Sequence, residues 1–365
     1  MPGSTFPEGA CVLVTGGCGF IGSALLRRLV PAHPATRFVN LDLLTYAGHP
    51  RNVAAVAEAP NYTFARGDVA DAPLVARLFA EHGVTHVAHL AAESHVDRSI
   101  ADPLAFVRTN VTGTAVLLDA ARRAWAGAAP GTRRFLHVST DEVFGALADD
   151  DPPFSETTPY DPRSPYSASK AGADHLARAY AHTFGLPVVV TNCSNNYGPF
   201  QYPEKLVPLT ITRAAAGEPI PVYGRGANVR DWLHVDDHAD ALERALLAGR
   251  DGATYLIGGH GERPNLDLVH ALCDAVDAAL GREAGTARAL VTFVADRPGH
   301  DFRYAIDPAR AEAELGWKPA RALEEGLAQT VRWYLEHPDW LAAVRDEAYR
   351  AYLDAQYAHR LAGAS

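Results

Sequence analysis

Tyr166 and Lys170, in the run Tyr166-Ser167-Ala168-Ser169-Lys170, lie four apart inside a helical pattern, so they share a face and the ammonium can stand beside the phenol. Such a pair can move protons. A phenol with a pKa of about 10 is a poor base at neutral pH, and an adjacent cation favours its phenolate. Taken alone, the same spacing also occurs on ordinary surface helices. A second reactive group, Thr140-Asp141-Glu142, ends the apolar run 134–140 and offers a hydroxyl and two neighbouring carboxyls. Elimination of water needs one group to take a carbon-bound proton and another, protonated, to hand a proton to the departing hydroxyl. Without context, these carboxylates equally suit a cap on the following turn.

Residues so far apart in the chain need a scaffold that gathers them at one edge. The short apolar run 11–15 reads as a buried strand, and it leads into Gly16-Gly17-Cys18-Gly19-Phe20-Ile21-Gly22 and an apolar-periodic helix. Glycines there allow a tight turn, close backbone approach to a pyrophosphate and helix-on-strand packing, while the helix N-terminus supplies N–H groups and positive dipole. A second strand, 38–42, ends in Asp42, twenty residues beyond Gly22, where a ribose-binding acid belongs. Asp42 would accept from both ribose hydroxyls and repel a 2′-phosphate, which favours NAD over NADP. Otherwise it simply begins a turn.

Further strands are expected at 61–67, ending near Asp68 and Val69, at 86–92, leading into Glu93 and Ser94, at 134–140 and at 186–192, with a long helix over 103–125. The alternation predicts an α/β fold: a Rossmann-type doubly wound parallel sheet with ligands at its C-terminal strand ends and a smaller mixed α/β substrate-binding lobe. Residues 1–192 are expected to form mainly the NAD-binding domain. Residues 193–365 form mainly the second lobe, interleaved with the first, and sheet strands return near 231–235. In that half, 193–200 reads as loop, 206–216 as helix and 220–223 as strand. A helix is capped by Asp236, and others lie near 266–280, 308–315 and 323–335.

Composition narrows the setting. The 365-residue chain has 48% hydrophobic and 21% charged residues, enough apolar content for a substantial core. Its formal net charge of −10 argues against generic binding to nucleic acid or anionic membranes, while leaving room for a local basic pocket. Cys11, Cys18, Cys193 and Cys273 show neither metal-ligand nor disulfide spacing, no metal constellation is visible, and His95, His175 and His182 read as surface or packing residues. No run approaches the ~18 apolar residues of a membrane span, and no secretory leader is visible, so the expected location is cytoplasmic.

Fingerprint, acid, strand-end hydroxyl and Tyr/Lys pair together resemble the extended short-chain dehydrogenase/reductase family over nearly the whole chain. Within it, the stretches 89–99 (HLAAESHVDRS), 139–143 (STDEV), 192–199 (NCSNNYGP), 203–206 (PEKL), 226–235 and 297–301 (RPGHD) look like the dTDP-glucose 4,6-dehydratases. That resemblance implies that Tyr166 takes the C4 hydroxyl proton of the sugar while C4 hydride passes to NAD. Lys170 would hold the nicotinamide ribose and lower the tyrosine pKa. Glu142 would remove the C5 proton that the 4-ketone acidifies, and Asp141, beside Thr140, would protonate the leaving C6 hydroxyl. Hydride then returns to C6, giving the nucleotide-linked 4-keto-6-deoxyglucose.

The resemblance also implies ligand sets. Gly16, Gly19, Phe20, Ile21, Gly22, Asp42, Leu43, Thr45, Asp68, Val69, Leu90, Ala91, Ala92, Ser94, Thr109, Tyr166, Lys170 and Asn196 would line the NAD site. Ser94, Thr140, Asn195, Lys205, Leu206, Pro221, Tyr223, Arg230, Asn265, Arg297 and His300 would surround the nucleotide sugar, with Lys205, Arg230 and Arg297 suited to a diphosphate. Helices near Pro103 and Tyr166 would pair across a homodimer. Leu43 stands where Lys is usual, Phe144 where Tyr is common, and Gln201-Tyr202 replaces His-Phe, the last two changes being expected on the substrate side. Rival readings are a 4,6-dehydratase of a UDP-hexose, a 4-epimerase, and a non-catalytic NAD-binding sensor.

Overall fold

A computed structural model of the chain describes residues 5–297, 299–345, 349 and 351. Residues 1–4, most of 346–365 and Pro298 of the RPGHD stretch lie outside the described residues. Thirteen strands occur in chain order among the described residues. They are β1 (Cys11–Thr15), β2 (Arg37–Asp42), β3 (Tyr62–Arg66), β4 (His86–His89), β5 (Arg134–Thr140), β6 (Val188–Cys193), β7 (Asn195–Tyr197), β8 (Ile220–Tyr223), β9 (Val229–Arg230), β10 (Trp232–His234), β11 (Thr254–Ile257), β12 (Arg263–Pro264) and β13 (Val291–Val294).

Seven of them form one sheet in the order β11-β6-β5-β4-β1-β2-β3, and every pairing in it is parallel. Fully buried runs such as Cys11–Thr15 and Val188–Cys193 suit this, because helices cover both faces. The strand order reverses between β1 and β4, which opens a crevice at their C-terminal ends. One face is packed by the helices Phe20–Ala32 and Val235–Ala248, the other by Ala72–His82, Gly113–Ala124 and Pro165–Phe184. A separate apolar core joins the helices Leu206–Ala216, Asn265–Leu280 and Leu323–Glu336 to β8 in the smaller lobe.

Several expectations need correction. The strand 86–92 ends at His89: Leu90 N–H still reaches Thr15 O, but Ala91 N–H turns to the Thr15 hydroxyl, and the chain leaves the sheet over the glycine turn. The sixth strand begins at Val188, after Pro187, which has no N–H to give a ladder. Part of the expected loop 193–200 is β7, paired in parallel with β10 in a two-stranded sheet. The strand that returns to the main sheet is therefore β11, not the segment near 231–235. The helix after β10 starts at Val235 and is capped by the His234 ring, which accepts from Asp236 N–H, so Asp236 is not its cap. The long helix over 103–125 is interrupted by a π-helical turn, Val107–Thr112.

Candidate active site

Backbone builds the crevice between β1 and β4. Gly16 has φ +71, and a Cβ there would lie 2.7 Å from both Cα and N of Ala91. A Cβ on Gly22 would sit 2.2 Å from Gly16 O. Only glycine permits this approach. The helix Phe20–Ala32 begins without a side-chain cap on Gly19, so its first N–H groups face the crevice, an arrangement suited to phosphate oxygens. At the end of β2, Asp42 accepts from Cys18 N–H and Leu44 N–H, each at 2.8 Å. Burial raises its pKa and these two donors oppose the rise. Asp68, two residues beyond β3, pairs with Arg108 at 3.0 Å.

The chemical centre joins β5 to the helix Pro165–Phe184. Ser164 and Ser167 form a reciprocal capping box at the helix start, with Pro165 at its first position, and Gly185 in the left-handed region ends it. Tyr166 and Lys170 lie one turn apart on its buried face. Lys170 does not bond the phenol; its Nζ donates to Val138 O of β5 at 2.7 Å. Burial, then the Glu142 charge, pushes the Tyr166 phenol well above its ordinary pKa, and a hydrogen bond with Thr140 pulls it down. Burial lowers Lys170, and Asp174 opposes that fall.

The two carboxyls differ. Asp141 is 1% exposed, its Oδ2 has no partner among the described residues, and burial followed by repulsion from Glu142 drives its pKa well up. Glu142 is also raised by burial, but Arg297, Lys205 and Arg230 all pull it back. Both carboxyls are raised, Asp141 the more strongly, while Glu142 has more cations opposing its rise, a difference that suits an acid and a base.

Further out, Lys205 Nζ donates to Ser94 O at 3.1 Å. The Arg230 guanidinium donates to the carbonyls of Val229, Asp301 and Phe302 and lies over the Tyr304 ring. His300, held by Asp296 at 2.6 Å, has its pKa pushed down to about 4, by burial first and then by Arg297 and Arg230, so it is neutral near pH 7. Asn195 Oδ1, Asn265 Oδ1 and Arg297 Nε are buried without partners among the described residues.

The expected residues fall into two adjoining hollows. The glycine turn, Asp42, Leu43, Thr45, Asp68, Val69, residues 90–94, Thr109, Asn196 and the centre from Thr140 to Glu142 with Tyr166 and Lys170 line one. Ser94, Asn195, Lys205, Leu206, Pro221, Tyr223, Arg230, Asn265, Arg297 and His300 line the other, and Glu142 and Lys205 face both. Thr140, expected at the sugar, lies in the first hollow. Phe144 lies in neither: it stacks on Phe154 and meets Tyr160 edge-on in the core behind the site, so its departure from Tyr does not touch the substrate side. Gln201 lines both hollows, with a buried Oε1 unpartnered among the described residues.

Sequence reasoning missed Asn110. From the π turn its amide accepts from Glu93 N–H, donates to Glu93 O, and donates to Ser169 Oγ at 2.8 Å, tying the loop after β4 to the Tyr166 helix. The available signal is a polar Asn inside an apolar helical pattern.

Fold and cleft together define an extended short-chain dehydrogenase/reductase. A family model described as GDP-mannose 4,6 dehydratase matches residues 13–330. The dTDP-glucose 4,6-dehydratase 1 of Escherichia coli K12 is 49% identical over 360 residues, covering 96% of this chain and 99% of that protein. The dTDP-glucose 4,6-dehydratase of Xanthomonas campestris pv. campestris strain B100 is 53% identical over 343 residues, 93% of this chain and 97% of that protein. Among solved structures, a dTDP-glucose 4,6-dehydratase from Streptomyces venezuelae with NAD and TYD bound superposes with a TM-score of 0.82 at 47% identity, covering 90% and 98% of the two chains. A UDP-glucose 4-epimerase of Thermus thermophilus in complex with NAD gives a TM-score of 0.78 at 31% identity, covering 90% and 99%. The chain belongs to this 4,6-dehydratase family, on the branch whose curated members are named dTDP-glucose 4,6-dehydratase.

Proposed function

We propose that this protein is an NAD-dependent hydro-lyase that converts dTDP-glucose to dTDP-4-keto-6-deoxyglucose. The observation that carries the reading is the unequal carboxyl pair Asp141/Glu142 beside Tyr166 and Lys170. The NAD site fits on the protein's own terms, with a glycine turn that a Cβ would fill, an uncapped helix N-terminus and Asp42 at the end of β2. The residues of this hollow would hold NAD, which would supply a hydride acceptor for C4 and donor for C6.

Tyr166 takes the C4 hydroxyl proton. Its phenol is raised by burial and by Glu142, and the Thr140 hydrogen bond opposes the rise. The resulting ketone acidifies C5-H, so oxidation must come first. Glu142, drawn toward its charged form by Arg297, Lys205 and Arg230, removes that proton. Asp141, kept protonated, delivers its proton to the C6 hydroxyl, which leaves as water. A 4-epimerase returns hydride to C4 and requires neither carboxylate. Lys205, Arg230 and Arg297 would neutralise the diphosphate in an otherwise acidic chain.

The protein acts as a homodimer in the cytoplasm. Supporting the first point, Ile100 at the end of the short helix Val96–Ala101 and Leu104 and Val107 in the helix that follows expose apolar side chains, Leu104 to 75%. In support of the second, Cys11, Cys18, Cys193 and Cys273 are free thiols, and no described helix is long and apolar enough to cross a membrane.

Purified protein supplied with NAD is expected to convert dTDP-glucose to a product with the alkaline chromophore of a 4-keto sugar and the mass of substrate less one water. Turnover of UDP-glucose with none of dTDP-glucose would overturn the nucleotide assignment. Light scattering at working concentration tests the dimer.

A further inference from the structure

Behind the catalytic pair lies a buried polar cluster with no part in the reaction described above. At its centre is Asp174, fully buried, one turn beyond Lys170 on the same helix. Its Oδ1 meets His137 Nε2 of β5 at 2.9 Å. Its Oδ2 accepts from Tyr160 OH at 2.8 Å and from Asn192 Nδ2 of β6 at 3.1 Å. The same Asn192 amide donates to Thr140 O at 3.0 Å, and Lys170 Nζ holds Val138 O, the residue after His137. One carboxylate thus fixes the Tyr166/Lys170 helix against the strand that ends in Thr140, Asp141 and Glu142.

We infer that Asp174 is a positioning residue of the reaction: one turn from Lys170 on the same helix and hydrogen-bonded to β5 and β6, it registers the Tyr/Lys helix against the carboxyl-bearing strand and places a negative charge on the Lys170 side of it. The groups around it allow this charge assignment. His137 from β5 and His89 from β4 are buried, and desolvation holds both imidazoles low, so neither brings a positive charge near pH 7 to match the carboxylate. Burial keeps the Cys193 thiol from β6 protonated. Tyr160 is likewise held protonated, chiefly by burial and then by Asp174. Arg178, one turn further along the helix, is spent on Tyr160 OH and the Thr254 hydroxyl. Asp174 itself has its pKa held down, with His137, Lys170 and Tyr160 outweighing burial. A charge buried in this way is sustained by an opposite charge close by.

The inference rests on the proton-transfer role proposed for Tyr166 and Lys170, and its test keeps the two apart. Wild-type turnover of dTDP-glucose is measured first, and its absence counts against the proposed reaction, not against Asp174. In Asp174→Asn, the loss of the anion should lower the Lys170 pKa. The alkaline limb of the kcat profile then moves down by about one pH unit. Tyr160→Phe, which removes a hydrogen bond but leaves the anion, should lower Tm with both limbs in place. A purely structural Asp174 would give a lower Tm with unmoved limbs, and that result overturns the inference. A thermal double-mutant cycle provides a second test that needs no substrate. The Tm loss from Asp174→Asn should be smaller in a Lys170→Met background than in wild type, and simple additivity of the two losses overturns the pairing.

Discussion

The two hollows of the cleft recognise charge by different means. On the dinucleotide side the main chain does most of the work: a glycine turn, an uncapped helix end and one strand-end carboxylate, all within residues 16–42. On the sugar-nucleotide side the positive charge comes from long side chains, Lys205, Arg230 and Arg297, carried by three separate segments and brought together only by the fold. Glu142 and Lys205 face both hollows, so the residue proposed as base of the elimination step stands at their junction. A backbone site tolerates almost no added atom. A side-chain site can be retuned one residue at a time.

The largest effect is expected at the junction. Glu142→Gln should lower turnover of dTDP-glucose about 10²–10⁴-fold, while the substrate still reduces bound NAD, seen as a near-ultraviolet absorbance that builds up and does not decay. Equal loss of both half-reactions would show that the two hollows do not divide the chemistry. Gly16→Ala tests the backbone side. Its Cβ would collide with the Ala91 main chain, so NAD should be lost on dialysis and Tm should fall, with nucleotide binding by the other hollow the last property to go. Arg297→Ala tests the side-chain side: KM for dTDP-glucose should rise about tenfold to a hundredfold through one lost charge-assisted contact, with NAD affinity unchanged. A matching fall in NAD affinity would join what the comparison separates.

The smallest effect is one of stability. The raised pKa of Asp141 means that the folded protein keeps a proton which the unfolded chain releases above the ordinary aspartate range. Stability therefore falls as pH rises from near 4 through that raised value. Asp141→Asn abolishes this slope, so its Tm should match wild type near pH 4 and exceed it increasingly toward neutral pH. A Tm gap independent of pH would mean that Asp141 is charged in the folded protein.

The same contrast decides what can be read from the chain. The fingerprint, Asp42 and the Tyr166 helix are local patterns, and each stands at the expected strand end or helix start. β11 is hard to see in the sequence because Thr254–Ile257 is only four residues long and flanked by glycines, and its place in the sheet depends on pairing with β6, more than sixty residues earlier. Position 144 reads as a substrate-side change because it follows Glu142 closely in sequence, but the 3₁₀ turn Asp141–Phe144 directs that ring into the core. The position of Lys170 on the Val138 carbonyl is not legible either, since helix spacing gives a side chain's face and not its partner.

The π-helical turn Val107–Thr112 carries a further consequence. One residue added to a helix rotates everything beyond it by about 100°, so the segments on either side of the turn are two helices out of phase along one axis. Leu104, before the slip, faces outward, while Leu117 and Leu118, after it, lie at 0% exposure under the sheet. At the slip itself stands Asn110, whose amide reaches both Glu93 and Ser169. The turn acts as a phase shifter, so that the two helices and the turn between them present three differently aimed surfaces: to solvent, to the core, and to the loop that edges the cleft.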